Sequence, residues 1–173
     1  MKNQIEQILQ VIIGLPLWSI GRAGDLEWFE IGDERRVIPI NNGETKIISE
    51  YALHVQCAWR IRNLNQIYVA SRDRYYPQGE DPYKDFEKFD WDKPGVNRLD
   101  ERISKLFDER MGKPLKILSL VADNVGGICL TLSDGYYLEV FPDDSLYGEY
   151  WRLLQPYTNK QHFVVTGHGF EFE

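Results

Sequence analysis

The sequence predicts an α+β fold, a mostly antiparallel bent sheet covered by an N-terminal helix and a mid-chain helix. Three observations lead there. Apolar residues recur at helical spacing in two stretches, 3–13 and 99–110. Apolar and polar residues alternate strictly through 51–62, the period of a half-buried strand. Elsewhere short apolar runs are separated by Gly, Asn and Asp turns, the punctuation of hairpins.

The first helix places Ile5, Ile8, Leu9 and Ile12 on one side, and Gly14 with Pro16 ends it. Residues 17–22 and 26–31 flank Ala23-Gly24-Asp25 as a hairpin. Residues 37–40 and 45–48 flank Asn41-Asn42-Gly43 as a second. The stretch 51–62 reads as one continuous strand. Leu53, Val55, Cys57, Trp59 and Ile61 face a core, while His54, Gln56, Ala58, Arg60 and Arg62 face outward. Asn63-Leu64-Asn65 turns this strand into 66–71, its antiparallel partner.

Residues 73–98 break periodicity with Pro77, Pro82, Pro94, Gly79 and Gly95 while carrying Tyr75, Tyr76, Tyr83, Phe86, Phe89 and Trp91. An irregular insert of this length is uncommon in a compact domain and often functional, and its aromatics predict partial packing. The second helix follows through Leu99, Ile103, Leu106 and Phe107, with Asp100 and Glu101 well placed in its first turn. Gly112 and Pro114 stop it. Strands are predicted at 115–122, 128–132 and 136–141, joined by turns at 123–127 and at Ser133-Asp134-Gly135. Residues 149–154 fit a helical turn or a strand, and 162–166 with 170–172 supply closing strands. Tyr51-Ala52-Leu53-His54-Val55 resembles Tyr136-Tyr137-Leu138-Glu139-Val140. Sheet patterning alone generates a match this short, so the reading is against an internal repeat.

With 173 residues, 43% hydrophobic and 27% charged, the chain reads as a single α+β domain over 1–173. No apolar run nears the roughly 20 residues that span a bilayer. The N-terminus lacks a leader signature, so the expected location is the cytoplasm. Cys57 and Cys129 have no metal-finger or redox spacing, and no disulfide is expected there. The net charge of −7 weighs against general nucleic-acid binding. That charge is uneven: 117–151 holds six acidic residues and no Lys or Arg. Such a segment suits a basic protein partner, with Glu139, Asp143, Asp144 and Glu149 as the candidate contacts. Solvated turn carboxylates are the more ordinary account of it.

No motif assigns a reaction. His54, Gln56 and Arg60 project the same way from 51–62, a strip that suits acid–base work and anion binding, or simply a hydrogen-bonded sheet surface. Arg72 and Asp73 open the irregular insert, where they contact a ligand or pair locally. Trp91 walls a binding groove or packs as a lone Trp. Gly126-Gly127 lacks the rest of a dinucleotide fingerprint, and the three histidines lack metalloprotease spacing. Cys57 lies in the apolar register and fits a small buried hydrophobe. No catalytic residue, metal or cofactor is therefore predicted.

Leu53-His54-Val55-Gln56-Cys57-Ala58-Trp59-Arg60-Ile61 resembles a strand shared by a family of uncharacterised bacterial proteins. Ser71-Arg72-Asp73, Ala122-Asp123-Asn124-Val125-Gly126-Gly127, Leu138-Glu139-Val140-Phe141-Pro142-Asp143 and Tyr150-Trp151-Arg152 are similar to it as well. The resemblance implies a bacterial, cytoplasmic, single-domain protein and carries no catalytic residue with it.

Three functions fit these features. The first is a binding protein of the immunity type, sequestering a basic partner through 117–151. The second is a small-molecule site, enzymatic or not, at His54, Arg60, Arg72 and Asp73. The third is a structural oligomer subunit joined through sheet edges.

Overall fold

The two helical stretches fold as α1 (Lys2–Leu9), prolonged by a 3-10 turn at Gln10–Ile12, and α2 (Arg98–Asp108). Asn97 caps α2: its side-chain oxygen accepts from the Asp100 N–H at 2.8 Å. Ile5, Leu9, Ile12, Leu99 and Leu106 are all sealed into one hydrophobic core. The structure, a computed structural model, describes residues 1–37, 45–79, 81, 83, 89–110 and 113–173. The predicted Asn41-Asn42-Gly43 turn, Pro82, Phe86 and Gly112 lie outside these residues.

The first unit after α1 is β1 (Pro16–Ala23), β2 (Leu26–Ile31), β3 (Arg35–Val37), β4 (Lys46–Ile48), β5 (Tyr51–Val55), β6 (Ala58–Arg62) and β7 (Ile67–Ala70). After α2 come β8 (Leu115–Ala122), β9 (Ile128–Leu132), β10 (Tyr137–Phe141), β11 (Glu149–Leu154), β12 (Phe163–Thr166) and β13 (Gly169–Phe172). Eleven strands form one antiparallel sheet in the order β13-β12-β11-β5-β2-β1-β8-β9-β10-β6-β7, and β3 with β4 forms a separate pair. The join between its halves is short, Pro16 and Leu17 against Lys116 and Leu115. The halves bend there and face each other across the core, where Phe29 of β2 meets Trp59 of β6 edge-on at 5.0 Å. The fold is α+β with a bent antiparallel sheet, as predicted.

One predicted strand is two. Residues 51–62 break at Gln56 and Cys57, whose N–H groups both donate to the Tyr150 carbonyl, at 2.8 and 3.3 Å. β5 then pairs with β2 and β11 in one half, and β6 with β10 and β7 in the other. Two residues separate the strands, so the period-two phase survives and the same five side chains stay buried. Alternation alone does not distinguish one strand from two joined in phase. Residues 149–154 resolve as a strand.

The structure also overturns the reading against a repeat. Outward from the β1–β8 join, the strands run β1, β2, β5, β11, β12 on one side and β8, β9, β10, β6, β7 on the other. Each unit contributes a helix, three neighbouring strands, and two more strands that cross into the opposite half. The registers agree residue by residue. Leu53 sits opposite Phe29, as Leu138 sits opposite Leu130; Trp59 sits opposite Val140, as Trp151 sits opposite Val55. A bulge recurs too, between Leu17 and Ser19 and between Ile117 and Ser119. The repeat therefore extends through Trp59-Arg60-Ile61 and Trp151-Arg152-Leu153, well beyond the five residues that hinted at it.

Candidate functional site

The two units differ in what they add to the shared plan, and the differences locate the sites. Between β9 and β10 the chain spends four residues, 133–136. Between the equivalent β2 and β5 it spends 32–50, including the β3–β4 pair. That insertion helps wall a cleft of about 390 Å3 on the outer face of β2 and β5. Its walls are Leu26, Trp28, Ile48, Ala52, Leu154 and Pro156, with His54, Glu30, Lys46 and Ser49 as polar groups.

Trp28 is placed by its cross-strand neighbour. It sits opposite Gly21, and a Cβ there would stand only 2.4 Å from the indole, so the missing side chain is what lets the ring lie on the sheet. His54 lies between Trp28 and Arg152 in the strand register. Burial, reinforced by the Arg152 charge, holds its imidazole below the usual histidine range, so it is neutral at pH 7. Among the described residues no hydrogen bond reaches the ring. Burial pushes the Glu30 carboxyl up. At the rim Tyr157, a non-glycine residue, is held at φ 56°, in the left-handed region.

The second unit treats the same outer face differently. Glu139 takes the place of His54 and forms ion pairs with Arg60 and Arg62 from the neighbouring strand, the latter at 2.7 Å. The guanidiniums also lie over Phe141 and Tyr137, at 5.5 and 4.4 Å from the ring centres. This is a laced, solvated face.

A second cleft, of about 270 Å3, opens where the first unit crosses between the halves. Asp25, Gln56, Arg72, Arg74, Tyr75 and Asp143 line it. Behind it is a charge on a core-facing position: Glu27 shares the face of Phe29 and Ile31 and is fully buried. Arg74, 5% exposed, pairs with it at 2.7 Å and donates from Nε to the Ser71 carbonyl at 2.8 Å. Burial pushes Glu27 up to about 7, against the opposing pull of the Arg74 charge. Cys57, also at this cleft, is pushed up to about 12 by burial, which leaves its thiol protonated and unreactive at neutral pH.

The sequence-selected residues are therefore divided. His54 belongs to the outer cleft; Gln56 and Arg72 meet at the crossover cleft. Arg60 is drawn to Glu139. Asp73 accepts from the Ala70 N–H at 3.0 Å and lies 3.8 Å from Arg98, an anchor for the start of the insert. Trp91 packs against Tyr75 at 5.4 Å, and its carbonyl accepts from Arg22 and Asn97. Arg22 also bonds Asp100 from β1, tying the insert's end to the sheet.

The acidic segment is shared out in the same way. Glu139 is paired as above, Glu149 with Arg152, and Asp134 with Arg110. Asp143 accepts from the Ala58 N–H at 3.1 Å and Asp144 from the Leu146 N–H at 2.8 Å; both remain exposed. Glu27, Arg74 and Trp28 were not singled out from the sequence. A usable signal was present for Glu27, a carboxylate in the Phe29–Ile31 register of a hairpin strand.

No helix among the described residues is long and apolar enough to cross a membrane. No family model, curated protein or solved structure significantly matches the chain, and the functional reading rests on geometry.

Proposed function

We propose that this is a small-molecule-binding protein whose ligand seats in the outer cleft between Trp28 and His54. The observation that carries it is the insertion at 32–50, without which the second unit completes the same strand plan. The hollow of about 340 Å3 on the second unit's outer face is crossed by the Arg60–Glu139 ion pair. The cleft the insertion helps wall instead keeps His54, unpaired among the described residues, amid apolar side chains. An outer sheet face is ordinarily polar, whereas this one is lined by apolar side chains with a few convergent polar groups, the composition of a ligand site. The Trp28 ring favours a flat, largely apolar ligand. A neutral His54 offers one donor and one acceptor, and Lys46 and Glu30 at the same cleft suit a ligand with a single polar end.

Titrating flat heteroaromatic fragments and following backbone amide shifts tests this. Saturable shifts should cluster at Trp28, His54, Ile48 and Leu154 and vanish in Trp28→Ala. Fragments that bind only elsewhere, or bind Trp28→Ala equally well, would refute it.

A further inference from the structure

The crossover cleft carries a second inference, independent of the outer one. In the second unit the position of Glu27 is taken by Ile128, opposite Val140 as Glu27 is opposite Val55. There the equivalent tryptophan, Trp151, donates its indole N–H to the Gly126 carbonyl at 2.7 Å, and the corner needs no buried charge. The fold thus builds the same corner twice, once without an ion pair. A buried pair is at best weakly stabilising compared with apolar packing. What Glu27 does accomplish is to hold the guanidinium of Arg74 in the wall of the cleft, with help from the Ser71 and Gly24 carbonyls.

Around that wall the charges are of both signs. Arg72 and Asp25 are exposed, and neither has a hydrogen-bond or ion-pair partner among the described residues. Asp143 spends one oxygen on the Ala58 N–H. We infer that the crossover cleft binds a small zwitterion, its carboxylate toward Arg72 and Arg74 and its ammonium toward Asp25 and Asp143, as in a free amino acid or short peptide. Paired opposite charges in a small cleft select a ligand carrying both, because either charge alone leaves one pair of protein groups without a partner.

Glycylglycine is the probe, with N-acetylglycylglycine and glycylglycinamide as versions lacking one charge each. Amide shifts on the intact chain should saturate at Asp25, Gln56 and Arg72, and each blocked peptide should bind about tenfold more weakly. Arg72→Ala should abolish the preference for a free carboxylate, and Asp25→Asn the preference for a free ammonium. Both positions are exposed, so folding is not at stake. Absence of saturable shifts up to about 10 mM, or equal binding of the blocked peptides, overturns the assignment. Trp28→Ala should leave these shifts unchanged, which separates this site from the outer cleft.

Discussion

Trp59 and Trp151 are the same residue of one repeated plan: each lies in a crossing strand, opposite Val140 and Val55 respectively, and each is sealed in the core. Their indoles meet different neighbours. Trp151 reaches a main-chain carbonyl, while Trp59 faces a buried carboxylate that also holds Arg74. The second unit therefore serves as an internal control for the first.

Converting the first corner to the chemistry of the second gives the sharpest stability test. Glu27→Ile alone strands the Arg74 charge and should lose about 3–5 kcal/mol in urea unfolding. Glu27→Ile combined with Arg74→Leu should regain wild-type stability or exceed it. If the double variant is as unstable as the single one, the pair is a structural requirement and the control does not apply.

Glu27 also sets a pH dependence. Its folded value of about 7 stands above the ordinary 4.5, so between those values the folded protein retains a proton that the unfolded chain has released. This contribution to stability is full below pH 4.5 and is lost as the pH rises through about 7. Relative to Glu27→Gln, the wild type should lose about 3 kcal/mol over that window in chemical unfolding. Parallel pH profiles for the two proteins would contradict the assignment.

Gly21→Val tests the seat of Trp28. The new side chain occupies the space of the indole, and the ring must lift from the sheet. A loss of about 1–3 kcal/mol with altered near-ultraviolet circular dichroism is expected, together with loss of fragment binding at the outer cleft. Unchanged tryptophan spectra would show that the ring does not depend on Gly21.

The carboxylates of 117–151 should separate into two kinds. Glu139→Gln removes the shared partner of Arg60 and Arg62, both partly exposed, and should lower stability by about 1 kcal/mol, less at high salt. Asp144→Asn keeps its acceptor oxygen for the Leu146 N–H and should change stability by only a few tenths of a kcal/mol. Equal losses would mean that the cross-strand pairs contribute nothing.

Much of the fold was legible in the sequence because local chemistry decides it. The bounds of β8 and β9, the hairpins at Ala23-Gly24-Asp25 and Ser133-Asp134-Gly135, and the helix from Leu99 follow from turn residues and periodicity. The candidate site was legible only in part. His54, Gln56 and Arg72 were identifiable as outward or loop polar groups, but their distribution between two clefts was not. It follows from the break at Gln56 and Cys57, which is made by a carbonyl more than ninety residues away, that of Tyr150.

By itself the sequence determined which apolar side chains of the 51–62 stretch and of the two helices face the core, where the chain turns, and that helices cover a bent antiparallel sheet. Those properties depend on each residue's neighbours along the chain, within a few positions. Tertiary structure alone decided that Glu139 and Glu149 face arginines, that Trp28 rests on Gly21, and that Glu27 holds Arg74 across the core. Strand order and register bring these groups together over long separations in the chain, and period-two alternation is the same whichever strand lies alongside.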